Sequence, residues 1–293
     1  MSMNWSKRQR LLGYVFVGPS MIGVLLFYLF PALYSFYLMF TDWVFFSGES
    51  PTFIGLDNLK RLFDDPLFYT SLGNTLLFVT TVPVFIGIAF VLAIVLNNNV
   101  YFKNALRSMF FIPYVMNGVA IAFVWMLLFK PNGGPINKAI EWFGFTGPGW
   151  LSSTETAMYA INIIYIWFHI GYALIIYLAA LQEIPSELLE AAKIDGAKYG
   201  QVIRHITLPL VSPTTLLLFI TGFISTIKTF GLIQAVTGGG PGDSTTLLSI
   251  FVYKTAFRYY EMGYASTISW VLFSCILIIT SVQWYAQKKW VHY

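Results

Sequence analysis

Residues 183–209 read EIPSELLEAAKIDGAKYGQVIRHITLP, a polar run with seven charges set between two apolar stretches. Pro185 and Ser186 mark a helix start, and Glu187 and Glu190 then fall where a helix dipole favours negative charge. The first helix is expected to end near Asp195, with Gly196 supplying a turn that tolerates positive φ. Beyond it Tyr199, Val202, Ile203 and Ile206 repeat at i, i+3, i+4 and i+7, one apolar face of a second helix that Pro209 is expected to stop. Physics alone leaves two roles open for this helix-turn-helix: it lies in a lipid headgroup layer, or it docks into the groove of a soluble partner.

Working outward, the chain has 293 residues, 57% hydrophobic and 10% charged, against roughly 25% charged in an ordinary soluble domain. Cutting at every Asp, Glu, Lys and Arg leaves six long charge-free intervals, 11–41, 66–102, 108–129, 156–182, 205–227 and 262–287. Each exceeds the roughly 20 residues that cross a hydrocarbon core, so an all-α integral membrane protein with six transmembrane helices is expected. The first apolar run follows Lys7, Arg8 and Arg10 but is too long for a signal-peptide core, which argues for an uncleaved helix. With the N-terminus cytoplasmic, ten of the seventeen Lys and Arg collect on the inner side, and both termini and the 183–209 loop face the cytoplasm.

Along the chain, residues 1–10 form a cytoplasmic tail and 11–72 a first helix (12–40, interrupted at Pro31) with an extracytoplasmic segment. A transmembrane core occupies 73–287 and a short tail 288–293. Residues 55–63 suggest a short amphipathic piece, with a solvated connector as the plain alternative. Helix two is expected over 74–96, ended by Asn97, Asn98 and Asn99, and helix three over 110–129 with Pro113 and Gly118 kinking its first half. A Gly- and Pro-rich outer loop, 130–156, holds one short helix near 136–143. Helices four, five and six follow over 157–181, 212–237 and 264–286, with Trp284, Tyr285 and Trp290 beside Lys288 and Lys289 as an interfacial belt.

The spacing Glu190-Ala191-Ala192, three residues, Gly196, nine residues, then Ile206-x-Leu208-Pro209 resembles at every fixed position the cytoplasmic loop signature of binding-protein-dependent ABC importer permeases. Gln182 to Leu188, Ile194 to Ala197 and Ile206 to Leu210 resemble its carbohydrate-type members. Thr237-Gly238-Gly239-Gly240-Pro241-Gly242 is similar to the outer loop of the first permease of maltose- and glycerol-phosphate-type systems. The likeness spans about 10–287. It implies a type I importer permease fold whose loop is a coupling helix pair seated in a cleft of an ATP-binding subunit. Carried over by position, Glu190 faces a basic group of that subunit, Ala191 and Ala192 permit close packing, Gly196 makes the turn, and Ile206, Leu208 and Pro209 complete the element. The implied partners are a second homologous permease, two ATPase copies that hold ATP and Mg, and an extracytoplasmic solute-binding protein. The implied substrate is a sugar or oligosaccharide.

Other chemistry is sparse. The glycine run at 238–242 lacks the Lys-Ser/Thr of a phosphate-binding loop, so ATP hydrolysis belongs to another polypeptide and this chain is not an enzyme. Cys275 stands alone inside the last span, and His169, His205 and His292 have no metal-ligand spacing. His169 reads first as a packing histidine with a satisfied hydrogen bond. Sugars are held by aromatic faces and hydrogen-bonding groups, so Tyr114, Asn117, Trp125, Trp167, His169 and Tyr172 are the substrate-path candidates. Lys228, inside the fifth apolar region, is open to three readings: snorkelling, lining the path, or meeting an acid of a partner. A secondary transporter would be expected to carry intramembrane carboxylates and a membrane hydrolase an acid-base or metal cluster, and the six intervals hold neither.

Overall fold

The structure, a computed structural model, describes residues 5–98 and 101–290. Asn99 of the expected turn and residues 291–293 lie outside the described residues, as do the side chains of Lys7, Arg8, Lys289 and Trp290. In chain order the helices are α1 (Trp5–Val24), α2 (Phe30–Leu38), α3 (Asp57–Asp64), α4 (Pro66–Val79), α5 (Thr81–Asn97), α6 (Lys103–Val115), α7 (Gly118–Leu128), α8 (Pro135–Trp142) and α9 (Ala157–Gln182). They continue as α10 (Ser186–Ile194), α11 (Tyr199–Val202), α12 (Leu208–Leu210), α13 (Ser212–Ile227), α14 (Gly231–Val236), α15 (Leu248–Tyr253) and α16 (Met262–Trp290), with π-helical turns at Leu25–Leu29, Ile203–Thr207 and Lys254–Arg258. Four spans, Leu12–Leu38, Pro66–Asn97, Ala157–Gln182 and Met262–Lys288, are each long and apolar enough to cross a membrane. Two further apolar pairs are bent, α6 with α7 by 104° and Tyr199–Leu210 with α13 by 62°, which brings the total to six if each bent pair is one span.

Several sequence expectations shift. Pro31 does not interrupt the first helix; it lies inside the continuous helical run Leu12–Leu38, just after the π turn, where the locally widened turn accommodates its ring. The second helix begins at Pro66 rather than 74, because proline at a first helical position starts a helix that the flanking acids Asp64 and Asp65 disguise as loop. Helix three is not kinked at Pro113, which sits in the last turn of α6. The chain breaks at Met116, extended at ψ 157°, and Asn117 restarts it as the N-cap of α7, its side-chain oxygen accepting the Val119 N–H at 2.8 Å. Helix five is split: α13 ends at Lys228, an exposed C-cap whose amide bonds Ile224 O at 3.2 Å, so Lys228 is a helix end and not a mid-span cation. The last helix is longer than expected, and Lys288 lies over the Tyr285 ring at 5.4 Å.

The chain divides into two compact units, 1–65 with 252–271 and 66–251 with 272–293. In the first, the span Leu12–Leu38 is largely exposed, with Leu38 buried at its end, and the amphipathic helix α3 is pinned by Asn58, whose buried amide donates to Met39 O at 3.1 Å and Thr41 O at 2.7 Å. Arg61 bonds Glu261 at 2.7 Å and lies 4.0 Å from the centre of the Tyr264 ring, whose hydroxyl donates to Asp65 at 2.8 Å. Asp42 accepts the Thr52 N–H at 3.0 Å, and hydrogen bonding from the Thr52 side chain first and its backbone amide second holds the Asp42 carboxyl below its ordinary pKa.

The second unit carries the core. On α5, Val82, Ile86, Ala89 and Ala93 share one face and pack against α9 through Ala160, Ile161, Ile164, Ala173, Leu174 and Tyr177. Small residues on both helices let the backbones approach closely. At Gly171 the approach is closest, since a Cβ there would collide with the Phe110 carbonyl of α6. At 237–246 the chain turns through Gly238, Gly239 and Gly242, all at positive φ. Thr237 and Thr245 hydroxyls meet at 2.7 Å, Thr246 donates to Gly239 O at 3.0 Å, and Asn74 donates to Asp243 O at 2.9 Å and Thr246 O at 3.1 Å. The glycine run is thus a non-helical loop sewn together by hydroxyls, as its sequence implied.

Candidate functional site

The 183–209 segment folds as two short helices around a left-handed turn. Pro185, not Ser186, occupies the N-cap position of α10, and Ser186 is the first helical residue. Gly196 adopts φ 75° and a Cβ there would meet nothing within 4 Å, so glycine is required by backbone conformation and not by crowding. Lys198 N–H donates to Gln201 Oε1 at 2.7 Å to open the second helix. That helix does not stop at Pro209: the run Tyr199–Leu210 is helical through the π turn and bends only at Val211.

The π turn adds a residue to the helical period, and this re-aims the expected stripe. Tyr199, Val202 and Ile203 face a cavity shared with α5 and α9, but Thr207 joins them in place of Ile206. Ile206 instead lines a shallow hollow with Asp195, Gly196 and Gln201. Of the signature residues, Glu190, Ala191, Gly196 and Leu208 are exposed, Ile206 and Pro209 are half-buried, and Ala192 is turned inward and buried. Glu190 makes no ion pair among the described residues. A row of exposed small and acidic groups over a seated alanine is a surface that a partner can approach closely.

The six substrate-path candidates fall into separate groups. Tyr114, His169 and Tyr172 come together around a cavity of about 90 Å³ that Phe85, Leu218, Thr221, Gly222 and Ser225 complete. Tyr114 stacks on Tyr172 with ring centres 4.8 Å apart, and His169 packs 3.9 Å from Tyr165 with Nδ1 3.0 Å from Tyr165 O, the satisfied packing histidine expected of it. Trp125 and Trp167 form a second pair at 5.5 Å, packed through Trp125 on Phe129, and the Trp125 indole N–H is buried without a partner among the described residues. Asn117 is a helix cap, which accounts for its side chain. Sequence reasoning missed Thr221 and Ser225, because a hydroxyl on an apolar helix carries no signal until its face is known. Among the described residues no three His, Cys, Asp or Glu gather as metal ligands.

Comparison with known proteins places this geometry. The family model for the binding-protein-dependent transport system inner membrane component matches residues 85–291. A probable ABC transporter permease of Pyrococcus horikoshii is 35% identical, covering 90% of this chain and 91% of its own. The lactose transport system permease LacF of Rhizobium radiobacter is 35% identical over 94% of each chain. In fold, the chain is similar to a structure of a bacterial ABC transporter involved in import of the acidic polysaccharide alginate, with a TM-score of 0.83, 24% identity, and coverage of 97% of this chain and 98% of that one.

Proposed function

We propose that this chain, which belongs to the family of binding-protein-dependent transport system inner membrane components, is the sugar- or oligosaccharide-conducting permease of an ATP-driven importer. It forms half of a pore with a second homologous permease, two ATPase copies holding ATP and Mg, and an extracytoplasmic solute-binding protein. The 183–209 loop faces the cytoplasm with both termini, in keeping with the ten Lys and Arg on that side. The observation that carries this reading is the loop itself: Glu190, Ala191 and Gly196 are presented outward on a paired-helix turn, and nothing in the described chain occupies them. The lactose permease, and a structure of the alginate transporter with its pentasaccharide-bound periplasmic protein, support the substrate class and the binding-protein partner.

The mechanism uses position, not covalent chemistry. Closure of the ATPases pushes on α10 and α11, and the helix that begins at Tyr199 carries the displacement through Val211 into α13. That helix holds Thr221, Gly222 and Ser225 against the cavity walled by Tyr114, His169 and Tyr172, so movement of α13 reshapes a chamber with aromatic faces and hydroxyls suited to transient sugar contact. The test is uptake by the complete transporter in vesicles, with ATPase activity read in the presence and absence of loaded binding protein. Sugar uptake that requires ATP and the intact loop supports the reading. Uptake by this chain without an ATPase partner overturns it.

A further inference from the structure

Behind the paired helices lies a cavity of about 290 Å³, at the lower edge of ordinary ligand pockets. Its walls are mostly apolar: Ile94 of α5, Leu181 and Ile184 at the end of α9, and Leu189, Val202 and Ile203 of the loop. No Asp or Glu lines it. Its polar groups gather at one side. Lys193 lines the cavity, and the ammonium of Lys103 donates to the carbonyl of Asn97, itself a lining residue, at 3.2 Å. Asn98 donates to Ile94 O at 3.1 Å and to the Tyr199 hydroxyl at 3.2 Å, which closes the rim between α5 and the second loop helix. Neither lysine has a carboxylate partner among the described residues, although Glu190 and Asp195 flank Lys193 in sequence.

An apolar slot with one unneutralised ammonium group in its lining, and a second bonded to the carbonyl of a lining residue, fits one kind of occupant. It sits at the ends of two apolar helices, where an acyl chain can enter from the bilayer and a headgroup stays at the polar boundary. We propose that this cavity holds one acyl tail of an anionic phospholipid, its phosphate between Lys103 and Lys193, and that the lipid stiffens the seat of the loop. The lipid's effect on transport rests on the coupling role proposed for 183–209; its binding does not. A neutral sugar would gain little from these walls, and a free phosphate would leave the apolar slot empty.

The site is read by photolabelling the complete transporter in vesicles with a phosphatidylglycerol that carries a photoactivatable acyl chain. Adducts are expected on the segments holding Ile94, Ile184 or Leu189. In the K103Q/K193Q double variant, loss of two cations near a headgroup is expected to weaken labelling about tenfold to thirtyfold. Ala197→Leu, which narrows the cavity and keeps both lysines, is expected to weaken labelling, so the outcome stands even if the double variant fails to assemble. Equal labelling by a phosphatidylcholine analogue, unchanged labelling in the assembled variants, or displacement of the probe by millimolar inorganic phosphate each overturns the proposal. In vesicles without anionic lipid, ATPase stimulation by loaded binding protein is expected to fall for the parent. Labelling without that fall keeps the site and removes the coupling role.

Discussion

Two polar loops join apolar helices in the second unit, and they are built on opposite plans. The loop at 237–246 turns its polar groups upon itself: Thr245 and Thr246 are fully buried, and Asn74 reaches across to hold two of its carbonyls. The loop at 183–209 turns its polar groups away, with all seven of its charged residues exposed, and leaves a cavity behind it. A loop with satisfied hydrogen bonds defines its own shape, whereas one with an open face and a hollow back takes its final shape from what it touches. The first serves stability and the second serves contact.

Substitutions separate those roles. Glu190→Lys and Gly196→Asp are expected to have the largest effect, because reversing a charge at a docked interface costs about 2–5 kcal/mol and a new carboxylate at the turn disturbs the same seat. Uptake by the assembled transporter falls about thirtyfold or more while both variants still insert; Glu190→Lys, at an exposed position, leaves the thermal midpoint near the parent's, whereas Gly196→Asp lowers it, because a side chain at φ 75° costs about 1–2 kcal/mol of backbone strain. Next, Asn74→Ala removes one donor each from the Asp243 and Thr246 carbonyls and is expected to cost about 1–3 kcal/mol, lowering the thermal midpoint but leaving uptake per assembled complex unchanged. If Asn74→Ala uncouples ATPase activity without lowering stability, the contrast between the two loops is wrong. Tyr177→Phe removes the 2.9 Å bond to Thr215 and is expected to cost about 1 kcal/mol, seen as a small drop in the midpoint.

The smallest effects belong to the first unit's surface. Asp42 has its folded pKa below its unfolded value, so its contribution is fully present above about pH 4 and is lost as pH falls through the folded value. Protection of the Thr52 amide, its exchange measured against the intrinsic rate at each pH, is expected to hold above about pH 4 and to fall below it, and Asp42→Asn to remove that dependence. Lys60→Ala, at an exposed pair with Asp57, is expected to leave the midpoint unchanged within error.

Much of this was legible in the residues. Charge-free length located the apolar spans, since a helix in lipid cannot afford a charge it does not use, and the signature spacing from Glu190 to Pro209 identified the family. Helix direction was not legible. Met116 and Val211 are as apolar as their neighbours, and neither composition nor period distinguishes a straight span from one bent by 104° or 62°. Prolines misled for a related reason: Pro66 starts a helix, whereas Pro31 and Pro209 each follow a π turn inside a helix that continues past them. The π turn at Ile203–Thr207 was invisible because one extra residue per turn leaves the local hydrophobicity unchanged, yet it decided that Thr207 and not Ile206 faces the cavity.

The bend at Val211 makes the segment from Tyr199 to Ile227 a bell crank. Its short arm, twelve residues or about 18 Å, ends at the exposed loop, and its long arm, sixteen residues or about 24 Å, passes the histidine cavity. Val211 is the fulcrum: it is fully buried, its amide donates to Thr207 O at 3.0 Å, and its carbonyl accepts from both the amide and hydroxyl of Thr215. Tyr177 of α9 clamps that pivot through the same threonine. Under the coupling role proposed for 183–209, such a crank would turn a thrust arriving along the membrane surface into a sweep across the interior, and because the arms are unequal, the far end would travel further than the near end is pushed.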